Sequence, residues 1–252
     1  WGFYKMKIEQ GKELLPPKGQ RIMHIVFYAL CCVVLFFALK KLLKNFHPLI
    51  PLVSALIFAA HPLHSEVGAF LKSRDELLSM FFIFSSLLFL LKYIEEEKRI
   101  QFWISNIFFL FALFSKESSI TFVVIFPLAL YFFTELDRSK IFRLTAVNFG
   151  LALFYILVRN SVLDANTGYM PVINNTLVGA HGTEKISTIF FIMIHYVKLL
   201  FYPHPLTWDY GYNQVPVTGW TDLSVIISVL IHIALGAFAV IKFRQKNLFS
   251  FL

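Results

Sequence analysis

Residues 22–43 read IMHIVFYALCCVVLFFALKKLL, an apolar run that closes on Lys40, Lys41 and the following Lys44. About 20 apolar residues cross the hydrocarbon core of a bilayer as a helix. In lipid the backbone must satisfy its own hydrogen bonds, which a helix does. This run therefore reads as a full span, and its basic end marks the side on which it stops. The same closing pattern recurs at Arg138, Lys140 and Arg143 and at Lys242, Arg244 and Lys246. Clusters at the ends of apolar runs follow the positive-inside rule for cytoplasmic loops.

The totals agree with that reading. Hydrophobic residues make up 58% of the 252 and charged residues only 15%, where a soluble domain carries about a quarter. The chain reads as an integral membrane protein, all-α and polytopic. Its net charge of +8 lies in short loop clusters, not on the continuous basic face with aromatic stacking room that nucleic acid needs. Nucleic acid is excluded as a partner. Cys31 and Cys32 are neighbours in the first run and would point apart on a helix, so no disulfide is expected between them.

Outward from the first span, residues 1–21 read as the end of an outer loop and 22–252 as a multi-spanning membrane domain. The chain opens on Trp1 and reads as a piece of a longer protein. Pro48–Ala60 leads outward and Leu77–Leu91 returns inward. Residues 102–133 hold only Lys116 and Glu117 as charges. As one helix they would be about 48 Å long at 1.5 Å per residue, too long for one crossing, so two spans meeting at an outer hairpin are expected. A span over about 144–158 ends at Arg159, and the last runs over about 223–241. Between them, 160–221 reads as an outer loop holding an apolar segment, 187–202. Were that segment a full crossing, the final basic cluster would fall on the wrong side. It is read as an interfacial or re-entrant helix, giving about seven spans plus one such helix.

Within this oil lies one charge-dense stretch, residues 61–76, with His61, His64, Glu66, Lys72, Arg74, Asp75 and Glu76. Ionisable groups at membrane depth are expensive and mark function by default. His61 and His64 are three apart, a spacing a metal pair could use, but Pro62 interrupts regular helix and no third imidazole is near. A hydrogen-bonding corner holding Glu66 or an anionic headgroup is the preferred reading, and no metal is assigned. Ser73 followed by Glu76 matches a capping box, which would explain both acids as helix-start residues. It leaves Arg74 unexplained, and a guanidinium suits phosphate bidentately. Lys116 and Glu117 are read either as a self-neutralising pair at a hairpin tip or as facing the same cavity as Arg74. Arg159 reads either as snorkelling or as a lipid-phosphate contact. Trp208, Asp209 and Tyr210 fit either an interfacial aromatic belt or a sugar-binding acid set among stacking rings.

The motifs His61-Pro62-Leu63-His64-Ser65-Glu66 and Ser73-Arg74-Asp75-Glu76-Leu77-Leu78-Ser79 resemble the signature of the transmembrane-and-tetratricopeptide O-mannosyltransferase-like proteins. Phe114-Ser115-Lys116-Glu117-Ser118 and Phe201-Tyr202-Pro203-His204-Pro205-Leu206-Thr207-Trp208-Asp209-Tyr210 resemble two later motifs of that family and its bacterial relatives. The resemblance implies a GT-C-like bundle that moves a sugar, mannose or a similar hexose, from a polyprenyl-phosphate donor to a protein or glycan acceptor outside the membrane. In a bacterium that is the inner membrane, with the active face toward the periplasm. It implies a tetratricopeptide domain in the full-length chain, although no 34-residue repeat is visible here. It implies catalytic roles for Glu66, Asp75, His61 and His64, donor-phosphate contacts from Arg74, Lys116 and Arg159, and acceptor or sugar contacts from Trp208, Asp209 and Tyr210. No cofactor is implied besides the polyprenyl-phosphate sugar, a substrate, and the need for a divalent metal is left open. The family's main catalytic acid lies in the first outer loop, where residues 1–21 offer only Glu9 and Glu13, so that base is expected to be missing. The rival readings are a proton- or ion-coupled transporter, which would use the same charges as relays, and a non-catalytic anchor for a tetratricopeptide scaffold.

Overall fold

The computed structural model describes residues 18–65, 67, 73–162, 176–178, 180–207, 215–246 and 251. Among them are eight α-helices and no strand: α1 (Lys18–Leu42), α2 (Leu49–Ala60), α3 (Arg74–Glu96), α4 (Arg99–Ser115), α5 (Phe122–Phe133), α6 (Arg138–Val162), α7 (Gly182–Phe201) and α8 (Leu223–Lys242). Four stretches, Ile22–Leu42, Arg74–Glu96, Arg138–Val162 and Leu223–Gln245, are long and apolar enough to cross a membrane. The molecule is an all-α integral membrane protein. α3 and α6 run several residues past the apolar segments 77–91 and 144–158 into flanking charges. Hydropathy marks the depth of the oil, whereas backbone hydrogen bonding carries a helix on into the interface.

Local chemistry sets the turns. Glu97 takes a left-handed conformation (φ 54°, ψ 18°) that ends α3 and lets the chain reverse into α4 at Arg99. The run 102–133 breaks at Lys116, whose extended backbone (φ −152°, ψ 135°) ends α4. A 3-10 turn over Glu117–Thr121 then leads into α5, giving the expected hairpin in place of one long rod. Pro127 sits inside α5 and contributes no N–H there.

The core lies between α3, α4, α5 and α6. Ile83 and Leu90, Phe109 and Leu113, Phe126 and Leu130, and Ile141 and Ala152 pack into one buried cluster. Lipid tails are as apolar as these side chains, so packing and interhelical hydrogen bonds hold the helices together. The α3–α4 pair shows both. Ser86 Oγ donates to the Ser105 carbonyl at 2.9 Å and Ser105 Oγ donates to the Ser86 carbonyl at 2.8 Å. Cys31 Sγ reaches the Leu77 carbonyl at 3.4 Å, tying α1 to α3, and Cys31 and Cys32 are both free thiols. Interhelical hydrogen bonds in membranes average about 0.6 kcal/mol. Ser86→Ala with Ser105→Ala is therefore expected to lower unfolding free energy in mixed micelles by roughly 1 kcal/mol; a loss above about 3 kcal/mol would refute this weighting.

The bundle has two charged ends. At one, the basic end, Lys41 pairs with Glu95 and Lys140 lies 3.8 Å from Glu97. Lys246 there donates to the Thr134 carbonyl at 3.1 Å. Lys41, Lys44, Thr134 and Glu135 line one pocket of about 200 Å³ there, so the first and last basic clusters share an end. α8 arrives there with Phe243, stacked on Tyr131 at 5.0 Å and 12°. The start of α8 at Asp222 then lies about 30 Å away, at the other end. Both ends of α7 meet that far end too. Ser187 Oγ donates to the carbonyl of Thr218, just before α8, at 2.5 Å, and the Leu200 carbonyl faces His61. α7 begins at Gly182 and not at 187.

Candidate functional site

The far end is where α2 stops, α3 starts and α4 and α6 stop, and each terminus brings a chemistry-bearing residue. The last carbonyls of α2 have no intrahelical partner. Tyr28 of α1 donates its hydroxyl to the carbonyls of Phe58 (3.2 Å) and Ala59 (3.0 Å). His64 Nδ1 donates to the Phe58 carbonyl at 2.7 Å. His61 turns the chain: its Nδ1 accepts from Leu63 N at 3.2 Å, which leaves the proton on Nε2 to be donated to the Leu200 carbonyl at 3.0 Å. Both nitrogens of His61 are thus committed, and it ties α2 to α7. The two histidines form a hydrogen-bonding corner at the end of α2. Among the described residues no group of three or more His, Cys, Asp or Glu could hold a metal ion.

At the start of α3, Ser73 makes no side-chain capping bond, so the capping-box reading of Ser73 and Glu76 is corrected. Asp75 Oδ1 accepts from Glu76 N at 2.9 Å, and the Glu76 carboxylate is drawn away to Lys116. The reason is electrostatic: Lys116, at the end of α4, pairs with Glu76 and lies 3.7 Å from Asp75. Glu117 turns the other way and pairs with Arg159 at the end of α6 at 2.7 Å. Lys116 and Glu117 are therefore not a self-neutralising pair; the two ion pairs join the ends of three helices. Half-exposed pairs are worth only about 0–1 kcal/mol each, too little to explain these five charges as fold cement.

Arg74 is half-buried, and its Nε donates to Nε2 of His24 at 3.3 Å. A guanidinium has no acceptor, so Nε2 accepts and the proton of His24 sits on Nδ1. His24 is 2% exposed, and the Val67 backbone beside it is a hydrogen-bonding partner. His24 holds one edge of Arg74 without adding a negative charge. Neither His24 nor Tyr28 was expected from the sequence. A polar side chain inside an apolar span was itself the available signal.

The structure brings His61, His64, Arg74, Asp75, Lys116 and Arg159 to this one end. Glu66, Trp208, Asp209 and Tyr210 lie outside the described residues, as do Glu9 and Glu13. On α7, burial, and then the nearby Lys198 ammonium, hold the His195 imidazole below its usual pKa.

A family model for dolichyl-phosphate-mannose-protein mannosyltransferase matches residues 18–163, which take in α1 through α6. No curated protein and no solved structure matches the chain. The motif from Phe201 to Tyr210 falls beyond the matched residues, whereas Arg74, Asp75, Glu76, Lys116, Glu117 and Arg159 fall within them. A match that runs unbroken through all six helices and covers more than half of the sequence fixes the relationship: the chain belongs to the dolichyl-phosphate-mannose-protein mannosyltransferase family and is a membrane glycosyltransferase of the mannosyltransferase type.

Proposed function

We propose that this end of the bundle transfers mannose, or a similar hexose, from a polyprenyl-phosphate donor to a hydroxyl of a protein or glycan acceptor on the outer side of the membrane. The observation that carries the reading is Arg74. Its guanidinium is held by a neutral imidazole and, among the described residues, by no carboxylate, beside a network in which Lys116 and Arg159 meet Asp75, Glu76 and Glu117. In the reaction the acceptor oxygen bonds to the anomeric carbon, the bond from that carbon to the phosphate oxygen breaks, and the electron pair leaves with polyprenyl phosphate. The leaving phosphate gains charge as the bond breaks, and preorganised cations stabilise that charge. Arg74 faces it, with Lys116 and Arg159 alongside. The hydroxyl proton passes to a carboxylate; Asp75, its side chain 49% exposed, orients the sugar or acceptor hydroxyl. His61 and His64 hold the end of α2 in register, and Glu66, Trp208, Asp209 and Tyr210 complete the sugar and acceptor contacts. A bacterial inner membrane with the active face toward the periplasm, and a tetratricopeptide domain in the full-length protein, belong to the same reading.

The test is release of polyprenyl phosphate from a labelled polyprenyl-phosphate mannose by the purified full-length protein, with transfer of label to acceptor. Release coupled to transfer is expected. Passage of label across proteoliposomes without cleavage would support a carrier, and neither result would leave a scaffold anchor.

A further inference from the structure

At the basic end, away from the mannosyl-transfer site, α5 and α6 part to form a groove of about 530 Å³. That is within the roughly 300–1,000 Å³ of ligand sites. Its walls are apolar, with Leu128 and Tyr131 on α5, Phe142 and Phe149 on α6, and Phe243 beyond α8. From Arg138 to Phe149 it follows α6 for about 16 Å at 1.5 Å per residue. That is close to half of a hydrocarbon core about 30 Å thick, the depth of one leaflet. Two cations stand at its mouth. The Arg138 guanidinium lies 5.6 Å from the Tyr131 ring centre and the Lys246 ammonium 5.3 Å from it. Nearby acids do not cancel both. Glu135 is 3.9 Å from Lys246 and Asp137 turns back to accept from Ser139 N at 3.1 Å. Among the described residues, no carboxylate pairs with Arg138.

We infer that this groove binds one anionic phospholipid of the leaflet at the basic end, its acyl chain between α5 and α6 and its phosphate on Arg138 and Lys246. An apolar slot one leaflet deep, opening on a cation pair, matches the length, polarity and charge order of such a lipid. The polyprenyl-phosphate donor does not fit this description, because its phosphate belongs to the opposite end.

Native mass spectrometry of the purified full-length protein tests this, with phosphatidylglycerol and phosphatidylcholine of identical acyl chains as probes. The protein retains phosphatidylglycerol over phosphatidylcholine by roughly thirtyfold, the scale set by two basic residues at a membrane surface. R138A with K246A removes the preference. A146W fills the groove, and L128W fills it from the facing wall, so that either one lowers retention of both lipids. Equal retention of the two lipids by the unaltered protein overturns the inference. So does wild-type retention by both groove-filled variants, which would reduce the effect to charge at the surface. An unchanged melting profile in at least one groove-filled variant keeps the comparison valid, and none of these outcomes depends on transferase activity.

Discussion

Arg74→Ala reduces turnover of the full-length enzyme by at least about tenfold, and removal of one preorganised donor to a developing anion commonly costs 10²–10³. The argument rests on what Arg74 touches. Its Nε is occupied by His24, so the outer face of the fork is directed by a fixed contact, and little reorganisation is needed when the phosphate departs. Arg74→Lys restores a point charge but neither the bidentate fork nor the bond to His24, so it recovers only part of the rate. Each tenfold step corresponds to about 1.4 kcal/mol of transition-state stabilisation. Single-turnover release of labelled polyprenyl phosphate measures it directly, with the thermal melting profile as a check that the bundle is intact. Turnover within twofold or so of the parent would remove Arg74 from the phosphate site and shift the role to Lys116 and Arg159.

Much of the architecture was legible in the sequence because bilayer physics leaves few choices. An apolar run near 20 residues has to be a helix, and Lys40, Lys41 and Lys44 share an end with Lys246 as the positive-inside pattern requires. The hairpin at Lys116 followed from length alone. What sequence could not supply was pairing between helices. Lys116 and Glu117 stand side by side in the chain, and only the approach of α3 and α6 separates their partners into Glu76 and Arg159. Capping logic for Ser73 and Glu76 was sound locally and lost to a cation from a different helix. His24 was hidden because a single histidine within oil gives no hint of which helix will press a guanidinium against it. The roles of His61 and His64 depended on Leu200 and on the carbonyls of α2, none of which shares a motif with them.

Phe109→Ala should lower the unfolding free energy of the bundle far more than Phe154→Ala, although both remove a phenyl ring from a membrane helix. Phe109 is fully buried and Phe154 is 50% exposed on the outer face of α6. In water both losses would include the transfer of the ring out of solvent. In a bilayer the partly unfolded helix still has lipid around it, so that contribution largely cancels and only packing remains. The Phe109 ring sits against Phe126 at 5.8 Å, within the cluster formed by α3, α4, α5 and α6. Its removal leaves a void on the order of 100 Å³ that lipid cannot enter, costing roughly 2 kcal/mol at about 24 cal/mol per Å³. At Phe154 lipid tails close the gap, and the expected change is within about 0.5 kcal/mol. Reversible unfolding in mixed micelles separates the two. Equal costs would mean that Phe109 faces lipid and that α4 is rotated about its axis, which would also carry Lys116 away from Glu76.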